Sequence, residues 1–171
     1  VEDEAMPLGQ ASQLFMMSNN RVHDAKIYAH SPEVPSLVEA MIDAERYKHV
    51  QIMKYVNILD IKEVVQFSAV SFILEDGTKI IAYRGTDSNL IGWKEDFYMT
   101  FKEEIPAQKY ALAYLEENVA VETKKRFALF GKKENNIYIV GHSKGGNLAM
   151  YASIKAKALH SQITRVYNFD G

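Results

Sequence analysis

Apolar positions recur at two spacings along the chain, and the switches between them predict its elements. The first 34 residues carry the weakest pattern: residues 11–17 predict a short helix that Ser18-Asn19-Asn20 ends, and Pro32 and Pro35 punctuate the chain before the next segment. Leu37, Met41, Ala44 and Tyr47 then fall at helical spacing, with Ser36 as a predicted N-cap. The middle reads as sheet. Residues 51–59 predict a first strand, and 64–74 alternate, with Val65, Phe67, Ala69, Ser71 and Ile73 on one side. Glu75-Asp76-Gly77-Thr78 is a tight-turn signal, because Asp-Gly supplies the positive φ a hairpin needs, so 79–83 should pair antiparallel with the preceding strand. Pro106 opens a long helical pattern through Tyr110, Ala111, Tyr114, Leu115 and Val119, closed by the cations Lys124-Lys125-Arg126. Residues 131–136 form a polar connector. Ile137-Tyr138-Ile139-Val140 reads as a strand buried on both faces, 148–158 as helix and 164–169 as strand, a βαβ order that predicts a parallel pair.

Composition narrows the class without naming it. The 171 residues are 47% apolar and 25% charged, which fits a single domain and excludes a disordered tail or a coiled-coil rod. A net charge of −2 gives no general attraction to nucleic acid or anionic membrane. Lys124-Lys125-Arg126 and Lys132-Lys133 suggest a nucleic-acid contact only weakly, for they lack interleaved aromatics and read more simply as a solvated helix end. Cysteine is absent, so disulfides, thiolate metal sites and a Cys nucleophile fall away together. No apolar run reaches the roughly 18 residues of a membrane span, and the acidic N-terminus lacks a secretion-signal layout. These features predict a cytoplasmic protein; a chain that opens on Val1 predicts one cut or processed from something longer.

Chemistry concentrates in Gly141-His142-Ser143-Lys144-Gly145, the pattern G-x-S-x-G. The pattern alone arises by chance in about one chain in twenty of this length, so its context decides its weight. Here a predicted buried strand runs into it and a predicted helix runs out of it. Such a turn lifts a hydroxyl above the sheet edge, and glycines at minus two and plus two avoid collisions with neighbouring backbone. Ser143 would then stand at a helix N-terminus, where amide hydrogens face a developing oxyanion. The plainer alternative is a Gly-rich turn whose Ser only caps the helix. A phosphate loop fits worse, since its Lys follows the second Gly and Lys144 precedes it. The second segment is Tyr83-Arg84-Gly85-Thr86-Asp87, after a central strand. Acyl transfer needs one amide donor after the nucleophile and one from such a loop, roles the Lys144 and Thr86 N–H groups can fill, with the Thr86 hydroxyl a third candidate. Alone, the same run is also an ordinary polar turn, and Trp93 reads as a packing anchor.

Tyr-Arg-Gly-Thr, then Gly-Trp-Lys-Glu-Asp-Phe, then Gly-His-Ser-Lys-Gly-Gly-Asn-Leu-Ala resembles the α/β-hydrolase superfamily. Within it the sequence is similar to the class 3 lipase-like group, and to a bacterial branch carrying Gly-His-Ser-Lys-Gly-Gly. The resemblance spans about residues 67–171. It implies a mostly parallel central sheet flanked by helices in one hydrolase domain, with residues 1–50 as a helical extension. It implies Ser143 as nucleophile, Thr86 and the Lys144 amide as oxyanion donors, and Asp96 as acceptor and orienter of the Thr86 hydroxyl. Gly141, His142 and Gly145 support the turn. Lys144 departs from the apolar residue lipases place after the nucleophile, and a cation at the site mouth argues against a long-chain lipid substrate.

A Ser nucleophile needs a base, and the superfamily order is Ser, acid, His. After Ser143 the chain offers Asp170, as triad acid or as a plain loop carboxylate, and His160, which lies too far along the helix to serve. His142 should point away from its neighbour and reads as a packing or orienting residue, and His23, His30 and His49 precede the sheet, with a surface role as their default. The resemblance therefore implies a C-terminally truncated domain whose catalytic His lies beyond Gly171, with feeble hydrolysis and an exposed sheet edge open to self-association. The predicted function is cleavage of a small-molecule or lipid ester with no cofactor and no metal; the alternative is a non-catalytic hydrolase-fold binding module.

Overall fold

The computed structural model describes residues 4–18, 33–87, 90–126 and 136–171. His23, His30, Pro32 and most of the predicted connector at 131–136 lie outside them. Among the described residues six strands form one sheet in the order of the chain: β1 (Met6–Pro7), β2 (Gln51–Asp60), β3 (Val65–Ile73), β4 (Lys79–Tyr83), β5 (Ile137–His142) and β6 (Ile163–Phe169). The helices are α1 (Leu8–Ser18), α2 (Val34–Ile42), α3 (Leu90–Tyr98), α4 (Pro106–Arg126) and α5 (Lys144–Lys155), with short 3-10 turns at Glu45–Tyr47 and Lys157–Leu159. Among the described residues no helix is long and apolar enough to cross a membrane.

The expectation of a mostly parallel sheet is corrected. The first three pairings, β1–β2, β2–β3 and β3–β4, are antiparallel, and only β4–β5 and β5–β6 are parallel. Connection length explains two of the three antiparallel pairs, β2–β3 and β3–β4. Residues 61–64 and 74–78 connect β2 to β3 and β3 to β4, far too short for the crossover a parallel pair requires. Asp60 Oδ1 accepts from the amides of Lys62 (2.7 Å) and Glu63 (3.1 Å), closing the first of these turns. Gly77, at φ 86°, completes the second, where its N–H bonds Leu74 O at 2.9 Å.

One face of the sheet carries the core. Val65, Phe67 and Ala69 of β3, Ile81 of β4 and Ile139 of β5 pack against Ala107, Ala111 and Leu115 of α4 and Leu148, Ala149 and Ala152 of α5. The other face is less covered, so β5 alternates buried and partly exposed residues rather than being buried throughout. The Ser36 cap is also corrected: α2 begins one turn earlier, with Glu33 as its N-cap and Pro35 in the first turn, where a missing N–H costs nothing. Helix α3 was not expected from the sequence. Gly92 and Glu95 are buried on its inner side, while Leu90, Trp93 and Phe97 stand exposed outside, so Trp93, 65% accessible, is no packing anchor.

Candidate active site

The chain leaves β5 at His142 and enters α5 at Lys144, which leaves Ser143 alone to turn it. Ser143 has φ 53° and ψ −131°, a combination that costs a non-glycine residue about 1–3 kcal/mol and persists only where surroundings enforce it. They do so here on three sides. The Ser143 N–H bonds Phe169 O of β6 at 2.9 Å, and Ser143 O accepts from the amides of Gly146 (2.8 Å) and Asn147 (3.3 Å). A Cβ on Gly141 would collide with the Gly145 carbonyl, and one on Gly145 with the Tyr83 carbonyl at the end of β4. Both glycines of the motif are thus required by close approach of backbone to backbone.

The loop after β4 lies against this turn. A Cβ on Gly85 would sit 2.7 Å from His142 O and 3.4 Å from Ser143 Cβ, which puts Thr86 one residue from contact with Ser143. The Thr86 hydroxyl donates to Asp96 Oδ2 of α3 at 2.6 Å. Its single proton is therefore committed to the carboxylate, and in this arrangement the hydroxyl is not a third oxyanion donor. Among the described residues the Thr86 N–H, the Lys144 N–H and the half-buried Ser143 hydroxyl make no hydrogen bond. The geometry therefore brings Gly85, Thr86, Asp96, Ser143 and Lys144 together at the C-terminal end of β4 and β5.

The Lys144 side chain is not at the site mouth. Its ammonium is 1% accessible and donates to Glu95 Oε2 and Gln66 O, both at 3.0 Å, with Asp96 Oδ1 at 3.7 Å. A cation on the first turn of a helix is unfavourable toward its dipole, and turning inward to a carboxylate relieves that. Glu95, fully buried, is the residue that sequence reasoning missed. Its other oxygen accepts from Ala107 N at 3.0 Å and Oε2 also accepts from Gln66 N at 3.0 Å, so one carboxylate ties α3, β3, α4 and α5 together. The signal was present in Gly-Trp-Lys-Glu-Asp-Phe beside a Lys inside G-x-S-x-G, two unusual charges that could have been paired.

Asp170 follows β6 at φ 57°, exposed, and its carboxylate has no hydrogen bond or ion pair among the described residues. The chain around it does approach the turn, since a Cβ on Gly171 would lie 2.6 Å from Ser143 O. His142 is exposed. His160 is held at the far end of α5, where Nε2 donates to Ser153 O (2.9 Å) and Ile154 O (3.3 Å). His49 lines a separate cavity of about 430 Å³ with Glu45, Arg46 and Leu74, at the hairpin end of the sheet opposite Ser143. Among the described residues none of these rings bonds Ser143, and no cluster of side chains could hold a metal ion.

A family model described as Mbeg1-like matches residues 41–171 of the sequence. No curated protein matches it. Among solved structures, a fungal lipase–inhibitor complex, described as a model for interfacial activation in lipases, aligns at 12% identity and a TM-score of 0.48. That alignment covers 91% of this chain but 57% of the lipase, so the chain spans little more than half that enzyme's length.

Proposed function

The chain belongs to the Mbeg1-like family, a lipase-like family, and on that premise we propose that it is a serine hydrolase that cleaves a carboxylic ester through an acyl-enzyme. One observation carries the reading: a serine held at φ 53°, its hydroxyl free, beside two amide hydrogens that have no other partner among the described residues. A residue in that conformation is expensive to keep, and a helix cap would not need it; indeed the Ser143 side chain makes no capping hydrogen bond.

In the proposed mechanism Ser143 Oγ attacks the ester carbonyl, and the Thr86 and Lys144 amides receive the negative charge that develops on the carbonyl oxygen. A single such donor is commonly worth about 10²–10³ in rate. Collapse of the tetrahedral intermediate expels the alcohol and leaves an ester on Ser143, which water then hydrolyses. Both steps need a base to take a proton. No described imidazole is bonded to Ser143, and in this reading the base is supplied from outside the described residues, with Asp170 as the candidate acid to orient it. Because Lys144 is buried rather than presented at the mouth, it no longer argues against an acyl chain, and lipid esters stand beside small esters as substrates. The steps proposed call for no cofactor or metal.

The same missing contact favours a second reading, a hydrolase-fold module that binds a ligand at this pocket without catalysis. A fluorophosphonate probe separates the two on the natural full-length protein. Labelling that disappears in S143A is the expected result; a full-length protein that stays unlabelled would replace the hydrolase with the binding module.

A further inference from the structure

Resting on the reading of Ser143 as nucleophile, we propose that the buried Lys144 ammonium is a positioning group that locks the two halves of the oxyanion site to each other. Lys144 belongs to one half through its own backbone N–H. Its side chain reaches the other half through Asp96. The ammonium lies 3.7 Å from Asp96 Oδ1, a buried oxygen with no hydrogen bond, while Asp96 Oδ2 accepts the Thr86 hydroxyl at 2.6 Å. Glu95 also holds the ammonium, at 3.0 Å, with Gln66 O as third partner. The chain of contacts runs Glu95, Lys144, Asp96, Thr86, and it links the two stretches of backbone that would carry the oxyanion donors.

Stability alone gives no reason for this arrangement. A buried ion pair contributes little or nothing over well-packed apolar residues of the same volume, yet leaves a heavy penalty when one partner is lost. What it supplies instead is direction. Three charged groups with fixed acceptors hold α3 and the N-terminus of α5 at one separation, and that separation sets how far the Thr86 amide lies from the Lys144 amide. An oxyanion site works only when its donors are held in place before the charge develops.

The test uses the second-order rate constant for fluorophosphonate labelling of the full-length protein, with peptide mapping of the labelled serine. Loss of fold lowers the amplitude of labelling, because fewer molecules are competent; loss of positioning lowers the rate constant of those that remain. K144M, and K144M/E95Q in which the fully buried Glu95 is not left as a stranded charge, retain the backbone amide and should label about tenfold or more slowly. D96N, at a partly exposed site that spares the Glu95–Lys144 pair, should slow to a similar degree, since its amide cannot face the ammonium and accept the Thr86 proton equally well. D96N/K144M should be no slower than K144M, because both cut one path. Wild-type rate constants in K144M and D96N would overturn the proposal while leaving the hydrolase reading intact. Should K144M and K144M/E95Q yield no folded protein, D96N decides alone by the same criterion. A wild-type protein that takes no label on Ser143 would sink both readings.

Discussion

At the scale of single residues, the backbone angles of Ser143 and the absent side chains at 141 and 145 matter most. Gly141→Ala or Gly145→Ala would push a methyl into a carbonyl group of neighbouring backbone, which cannot swing aside as a side chain would. Each should cost about 1–3 kcal/mol or more and reduce Ser143 labelling below detection, read as a lowered urea midpoint together with lost labelling. The sequence made these positions legible because a strand, a G-x-S-x-G motif and a helix follow one another without a gap. The Thr86–Asp96 pair was legible only through family resemblance, since nothing in the spacing of ten residues requires a contact. Lys144 was misread for a physical reason: a lysine next to a nucleophile reads as a solvent-facing cation until its partner is known, and Glu95 reaches it only through the tertiary fold.

At the scale of elements, the hairpin β3–β4 followed from its Asp-Gly turn, and α4 and β6 from periodicity. Helix α3 did not, because Trp-Lys-Glu-Asp-Phe and the Gly before it bury a small and a charged residue inward and leave the large apolar ones outside, the reverse of an amphipathic surface helix. Glu95 hydrogen bonds tie the helix to β3 and α4, and Tyr98 at its end packs partly buried against the core. The join between α4 and the sheet rests instead on Leu115, fully buried, and on phenols. Leu115→Ala should cost about 2–5 kcal/mol, measured by urea unfolding. Tyr114 O–H bonds Lys54 O at 2.7 Å and pairs with Ser71 Oγ at 2.8 Å, and burial pushes its pKa up to about 12. Burial and its neighbour Tyr114 likewise raise Tyr83, whose O–H donates to Ala111 O. The folded state keeps these phenols protonated where the unfolded chain begins to ionise them. The Tyr114 contribution is therefore complete below about pH 10 and lost as pH rises toward about 12, and Tyr83 acts in the same direction. The urea midpoint should fall across that interval, and Y114F should make the fall shallower.

At the scale of the whole molecule, an antiparallel β1–β4 portion and a parallel β4–β6 portion share the strand β4, whose end carries the loop to Thr86. Short connections dictated the antiparallel β2–β3 and β3–β4 pairs and helical crossovers the parallel ones, so most of the sheet's mixed direction was readable from loop lengths that a family-level expectation overrode. Among the described residues β6 pairs only with β5, and its exposed Tyr167 and Phe169 lie along that edge. Unpaired edges of this kind invite another strand. The 171-residue chain should therefore self-associate with rising concentration in light scattering, and a lysine at Tyr167 should suppress it. The central claim concerns the space between three groups brought together from β4, β5 and α5. A crystal structure of the phosphonylated full-length protein tests it most directly. The account predicts phosphorus bonded to Ser143 Oγ with its free oxygen about 3 Å from both the Thr86 and the Lys144 amide nitrogens. An adduct whose oxygen faces solvent, or reaches neither amide, would contradict it.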